Sequence, residues 1–150
     1  MEELLFCLEE KQTLSFIEFD IVEFYPIITE GFLKKALEWA NTITEISEDE
    51  IDTILQTKKA LLFFDGQCWI KKGNSSFDVS MGSWDGAEVA DLIGLYLLSQ
   101  LEDVQCNLGL YRDDGLGVTS LCPRLAEKEK QKICKIFQNN GVRKSKCKCK

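Results

Sequence analysis

Apolar positions along this chain switch between a two-residue and a 3.6-residue period, and the switches mark its elements. Ser15-Phe-Ile-Glu-Phe-Asp-Ile-Val22 is short, β-branched and aromatic, and runs into Tyr25-Pro26. That predicts a buried strand ending at a turn, with Asp20 near its end. Thr29 is placed to cap a helix in which Leu33, Ala36, Leu37 and Ala40 share one side. Ser47, with Glu50 three residues on, forms a capping box for a second helix bearing Ile51, Ile54 and Leu55.

Leu61 to Phe64 and Gln67 to Ile70 flank Asp65-Gly66, the dipeptide that suits a tight hairpin turn. A polar loop over 71–83 follows. Asp85 precedes Glu88 in a capping-box-like arrangement, and Val89, Leu92, Ile93, Tyr96 and Leu97 predict a helix over 85–101. Leu108 to Tyr111 and Leu116 to Val118 flank Asp113-Asp114-Gly115, a second hairpin with two acids at or beside its turn. Pro123 suits the first turn of a last helix, which Asn140-Gly141 stops. Strand, two helices, hairpin, helix, hairpin, helix is the order of an α+β fold: an antiparallel sheet with helices packed on one face, for which a ferredoxin-like arrangement is the natural choice. It would bring Asp20 beside Asp113.

Composition changes this picture in one respect. With 150 residues, 45% of them hydrophobic, the chain fits one domain with a real core. Its net charge of −7 argues at first against a nucleic-acid partner. The charge is uneven, however: residues 1–60 hold 14 acids against five Lys and Arg, whereas residues 124–150 hold ten Lys and Arg against two acids. No stretch reaches the ~20 consecutive apolar residues that span a bilayer. The N-terminus is too acidic for a targeting peptide, so an intracellular protein of cytoplasm or nucleus, not a secreted one, is expected. Seven scattered cysteines do not make a disulfide framework and read as reduced, core-filling thiols. Cys147-Lys-Cys149 lacks the second ligand pair that zinc needs, and the chain has no His.

Asp20, Asp113 and Asp114 are the candidate chemistry. Close carboxylates repel by roughly 4 kcal/mol per pair at 4 Å and an effective dielectric near 20, so such a group protonates or takes up a cation. Oxygen ligands alone favour a hard ion such as Mg2+. Asp113-Asp114-Gly115 is equally what a plain turn looks like.

Three motifs in order resemble one family. Tyr111-Arg-Asp-Asp114 resembles the Y-x-D-D motif of reverse transcriptases. Phe19-Asp-Ile-Val-Glu-Phe-Tyr-Pro26 resembles that family's first palm motif, and Met81-Gly-Ser83 resembles the form found in Penelope-like retroelement polymerases. The resemblance, over roughly 15–140, implies a ferredoxin-like polymerase palm that adds deoxynucleotides to a primer 3′-hydroxyl on an RNA or DNA template. Asp20, Asp113 and Asp114 would hold two Mg2+ ions, or Mn2+ in their place, with the carbonyl of Ile21 assisting. Tyr25 would be the steric gate against a 2′-hydroxyl; Met81 and Gly82 would line the nucleotide pocket, and Glu23 would lie near the triphosphate or be merely solvated. Tyr111 would sit near the primer end, or serve as a core tyrosine. Lys144 is the counterpart of a proton donor to pyrophosphate.

The chain departs from the family in continuing Trp84-Asp-Gly-Ala-Glu88 where many members have prolines, and in lacking room for fingers and thumb, which a longer product would supply. The expected organisation is a leader at 1–14, a palm at 15–141 and a disordered Cys/Lys tail at 142–150, the isolated piece being inactive. The alternatives are a catalytically dead remnant that binds nucleic acid weakly, and an RNA-dependent RNA polymerase palm, which would carry a polar residue in place of Tyr25.

Overall fold

The structure, a computed structural model, describes residues 14–70, 76–142 and 145–149. The chain divides into two compact units, one formed by Met1–Val22 with Gln100–Lys150 and one by Glu23–Ser99.

The first unit is built on β1 (Ser15–Ile21), β4 (Asn107–Tyr111), β5 (Asp114–Thr119) and β6 (Ser145–Cys149), with a helix at Pro123–Asn139 between β5 and β6. The strand order is β4-β5-β1-β6 and every pairing is antiparallel. This is the ferredoxin-like order, with the hairpin on one side of the first strand and the last strand on the other. Burial alternates along β1: Ile17, Phe19 and Ile21 are buried, while Phe16, Glu18 and Asp20 lie on the open face. The helix covers the buried face, where the ring of Phe137 meets Phe19 edge-on at 5.5 Å between centroids. Ile133 and Phe137, four apart, are both fully buried there.

Pro123 stands in the first turn of that helix. At its end Gly141 takes φ 101°, and the amides of Gly141 and Val142 donate to the carbonyls of Gln138 and Phe137 at 3.2 and 3.0 Å. This is a Schellman close, and the buried Val142 is its hydrophobic seal. It turns the chain back so that the tail runs alongside β1. Residues 145–149 therefore form a strand where the sequence reading expects a disordered tail: the free edge of β1 offers unpaired backbone groups that an extended segment satisfies.

The second unit holds a short helix, α1 (Phe24–Ile27), then α2 (Glu30–Ala40), α3 (Glu48–Thr57), the hairpin of β2 (Leu62–Phe64) and β3 (Gln67–Trp69), and α4 (Gly86–Ser99); the helix of the first unit is α5. Thr29 caps α2, its hydroxyl accepting from the Phe32 amide at 3.2 Å. Ser47 and Glu50 form the complete capping box of α3, and the Ser47 hydrogen bonds hold the Glu50 carboxyl below its ordinary range. α2 buries Phe32, Leu33, Ala36 and Leu37, and α4 buries Val89, Ala90, Ile93, Tyr96 and Leu97. Phe32 and Trp39 each meet Tyr96 edge-on, at 6.1 and 6.0 Å. Asp85 stands at the N-cap position of α4, its carbonyl accepting from the Val89 amide at 3.1 Å, and its carboxylate accepts from the Lys58 ammonium, which is buried.

The described cysteines do not fill the core. Among the described side chains, Cys68 and Cys122 are exposed and Cys106 and Cys134 half-buried, all four outside any disulfide.

Candidate active site

The hairpin that carries the two acids is held by β1. Register places Asp20 opposite Asp114, and the amide of Ile21 donates to the carbonyl of Asp113 at 2.8 Å. That bond, one residue beyond the pair on each strand, makes Asp20 and Asp114 a non-hydrogen-bonded pair, the kind whose Cα atoms approach to about 4.5 Å with side chains on the same face. Two carboxylates thus stand side by side on the open face of the sheet. Like charges at about 5 Å repel by roughly 3 kcal/mol at an effective dielectric of 20 and about 1 in water.

The turn itself is Arg112-Asp113, because Tyr111 pairs with Asp114. The sequence reading sets it over Asp113-Asp114-Gly115. That glycine serves packing instead: a Cβ on Gly115 would come within 2.0 Å of the Phe19 ring, which crosses β5 at this point. Arg112 takes the left-handed φ of 55° that a glycine would adopt freely, and its guanidinium lies over the ring of Tyr111, 5.1 Å from the centroid. Tyr111 is exposed, on the same face as Asp114 and Asp20; it is no core tyrosine.

A hollow of about 620 Å³ lies against this face, lined by Glu18, Asp20, Gly109, Tyr111, Asp114 and Leu116 among others. Glu18 is a site residue the sequence reading missed, though the alternation along β1 places it beside Asp20. The donor set is all oxygen. Among the described residues no group of three or more Asp, Glu, Cys or His is arranged to hold a metal ion, since Asp113 occupies the turn and leaves a facing pair. A facing carboxylate pair nevertheless suits Mg2+, which binds through one or two carboxylates and fills its other positions with substrate oxygens and water.

No protein-family model matches the chain, and no characterised protein matches its sequence. Solved structures share its architecture. Telomerase from Candida tropicalis, truncated from its C-terminal domain, superposes with a TM-score of 0.66 over 99% of this chain and 34% of its own. The chain has a reverse-transcriptase-like fold. Apo telomerase of the same organism gives 0.69 over 98% and 30%, and its complex with a TWJ fragment of telomeric RNA gives 0.63 over 99% and 29%. The chain thus spans about a third of the length of these telomerases, and at 15–16% identity the likeness is one of fold alone.

Within this reverse-transcriptase-like fold, the first unit brings together Asp20, Asp114 and the backbone of Ile21 and Asp113. The other sequence-predicted site residues belong to the unit of Glu23–Ser99. Glu23 is exposed at the N-cap of α1 with φ 58° and ψ 45°. Tyr25 is half-buried, its ring edge-on to Phe24 at 6.0 Å. Met81 is exposed, and Gly82 takes φ 90°, a conformation that favours glycine. Lys144 lies outside the described residues. Among the described residues no helix is long and apolar enough to cross a membrane.

Proposed function

We propose that this chain is the palm of an RNA-directed DNA polymerase of retroelement type, adding deoxynucleotides to a primer 3′-hydroxyl on an RNA or DNA template. The observation that carries the reading is the non-hydrogen-bonded Asp20–Asp114 pair beside the Arg112-Asp113 turn. Five further register pairs along β1 and β5 hold the two aspartates opposite each other on one face, so their like charges meet where a cation would relieve them. Asp20 and Asp114, with Asp113 in the adjoining turn, would hold Mg2+ or Mn2+. Two such ions, when bound, supply charge stabilisation to the attacking hydroxyl and the leaving pyrophosphate.

The remaining roles belong to the chain itself. Tyr111, steadied by Arg112, offers an aromatic surface beside Asp114 on which a primer terminus would rest. Tyr25 would exclude a ribose 2′-hydroxyl, and Met81 and Gly82 would border the incoming nucleotide, with Glu23 toward its sugar or triphosphate. Primer extension by a longer product that supplies fingers and thumb tests the reading: Mg2+-dependent incorporation of a labelled deoxynucleotide, lost in Asp114→Asn, is the expected result. Tyr25→Ala should then admit ribonucleotides.

A second reading, a remnant that binds nucleic acid without catalysis, is favoured by one observation: no three-ligand metal group occurs among the described residues. Oligonucleotide binding with neither extension nor Mg2+-dependent thermal stabilisation would establish the remnant and remove the polymerase.

A further inference from the structure

Lys58 is 5% exposed and its ammonium donates to Asp85, itself 17% exposed. Burying this pair is no cheap route to stability, because well-packed apolar residues of similar size usually do as well or better. Its position suggests another purpose. Lys58 ends α3, and Asp85 immediately precedes α4. Between Asp85 and the buried anchors Phe77 and Val79 lies the Met81-Gly82-Ser83 turn.

That turn is tightly determined. The carbonyl of Ser80 accepts from the Ser83 amide at 3.1 Å and from its hydroxyl at 2.9 Å, and the Gly86 amide donates to Ser83 at 3.1 Å. A Cβ on Gly86 would lie 2.5 Å from the Ser83 hydroxyl and 2.6 Å from the Ser80 carbonyl, so the turn closes only on glycine. Its approach is strapped to the same segment that carries Lys58: the Asp78 amide donates to the Lys58 carbonyl and the Ala60 amide to the Ser76 carbonyl, each at 2.9 Å, around a Lys59–Phe77 bridge. On the far side the Lys58–Asp85 pair closes the loop. The result is a fixed turn that presents Met81 and Trp84 to solvent at 78% and 88% exposure.

We propose that Lys58 and Asp85 are a positioning pair that holds the Met81-Gly82-Ser83 turn in a single conformation for nucleotide binding; the nucleotide rests on the function proposed above, the fixing of the turn does not. A charged pair suits this task because its length and direction are specific, whereas an apolar substitute can slide.

The experiment uses the full chain and separates the two claims. Hydrogen exchange reads the Ser83 and Gly86 amides, thermal unfolding reads global stability, and Trp84 fluorescence in a Trp39→Phe/Trp69→Phe background reads binding of a deoxynucleoside triphosphate. The Lys58→Met/Asp85→Leu double variant should keep or raise its unfolding midpoint while exchange at the turn accelerates and nucleotide affinity falls by about 10- to 100-fold, the scale of a small misplacement. Lys58→Arg should retain both. A double variant with unchanged exchange and affinity overturns the inference. If it does not fold, Asp85→Asn gives the same decision: a loosened turn supports the pair's role and an unchanged one overturns it. Exchange that responds as expected in a chain showing no nucleotide response upholds the strut and sinks the polymerase reading instead.

Discussion

Asp65-Gly66 turns the β2–β3 hairpin with both residues at positive φ, 48° and 72°, and the strands it joins stand exposed, Leu62, Phe63 and Phe64 each near 70%. Arg112-Asp113 turns the β4–β5 hairpin with one positive φ and no glycine, yet that hairpin is locked into a four-stranded sheet through β1. The first is a product of local chemistry, since its turn residues alone dictate it. The second is imposed by its neighbours, and the sheet pays for a left-handed arginine and two facing carboxylates. Strain of this kind gathers where a fold keeps groups for use, and here it gathers beside the proposed site.

The contrast can be broken by substitution, most forcefully at Gly115. Gly115→Ala drives a methyl group into the Phe19 ring, and urea denaturation should register a loss of about 3 kcal/mol. Its counterpart Gly66→Ala meets no neighbouring atom within 4 Å and only the wrong φ, so a loss of about 1 kcal/mol is expected. Equal losses at the two glycines would mean that both hairpins are local. A smaller and opposite effect is expected at the acids. Without divalent ions, Asp114→Asn should raise stability by about 0.5 kcal/mol by removing a like-charge cross-strand pair. With Mg2+ present the wild-type chain should gain thermal stability and the variant should not.

The mildest test compares thiols. Cys68 lies exposed in β3, whereas Cys106, just before β4, has its thiol pushed up to about 11 by burial, with Glu129 adding to the shift. A raised folded value means that the protonated thiol is what folding favours. The contribution is complete below the ordinary thiol range near 9 and fades as pH climbs toward 11. Iodoacetamide should therefore label Cys68 well ahead of Cys106 at pH 8, with the gap closing as the medium is made more alkaline. Early labelling of Cys106 would show that its end of the hairpin opens readily.

What could be read in the residues follows the same division. The Thr29 and Ser47 caps, the Asp65-Gly66 turn, the Pro123 start and the Gly141 stop all came out where their chemistry points, because each depends on groups within a few positions. Asp20 was found beside the acidic hairpin as the strand pattern implies. Gly115 was misread as a turn glycine because its reason lies ninety-six positions away in Phe19. Asp85 holds the helix start its spacing implies, but its ion pair with Lys58, twenty-seven residues back, carried no local signal. The tail was read as disordered although its alternating Lys and Cys have the two-residue period of a strand, and the vacant flank of β1 is what pairs it. Glu18 was overlooked although its parity with Asp20 was in plain view.

β1 occupies the middle of its sheet, and both of its neighbours come from the last thirty-seven residues of the chain. A ribosome emits it early, with partners absent. Residues 23–99 are contiguous and can collapse as they emerge, while Phe16, Ile17, Phe19 and Ile21 wait uncovered for strands over ninety residues downstream. Assembly so dependent on remote pairing is slow, and the waiting segment is sticky. Expression yield, rather than final stability, is where this topology exacts its toll.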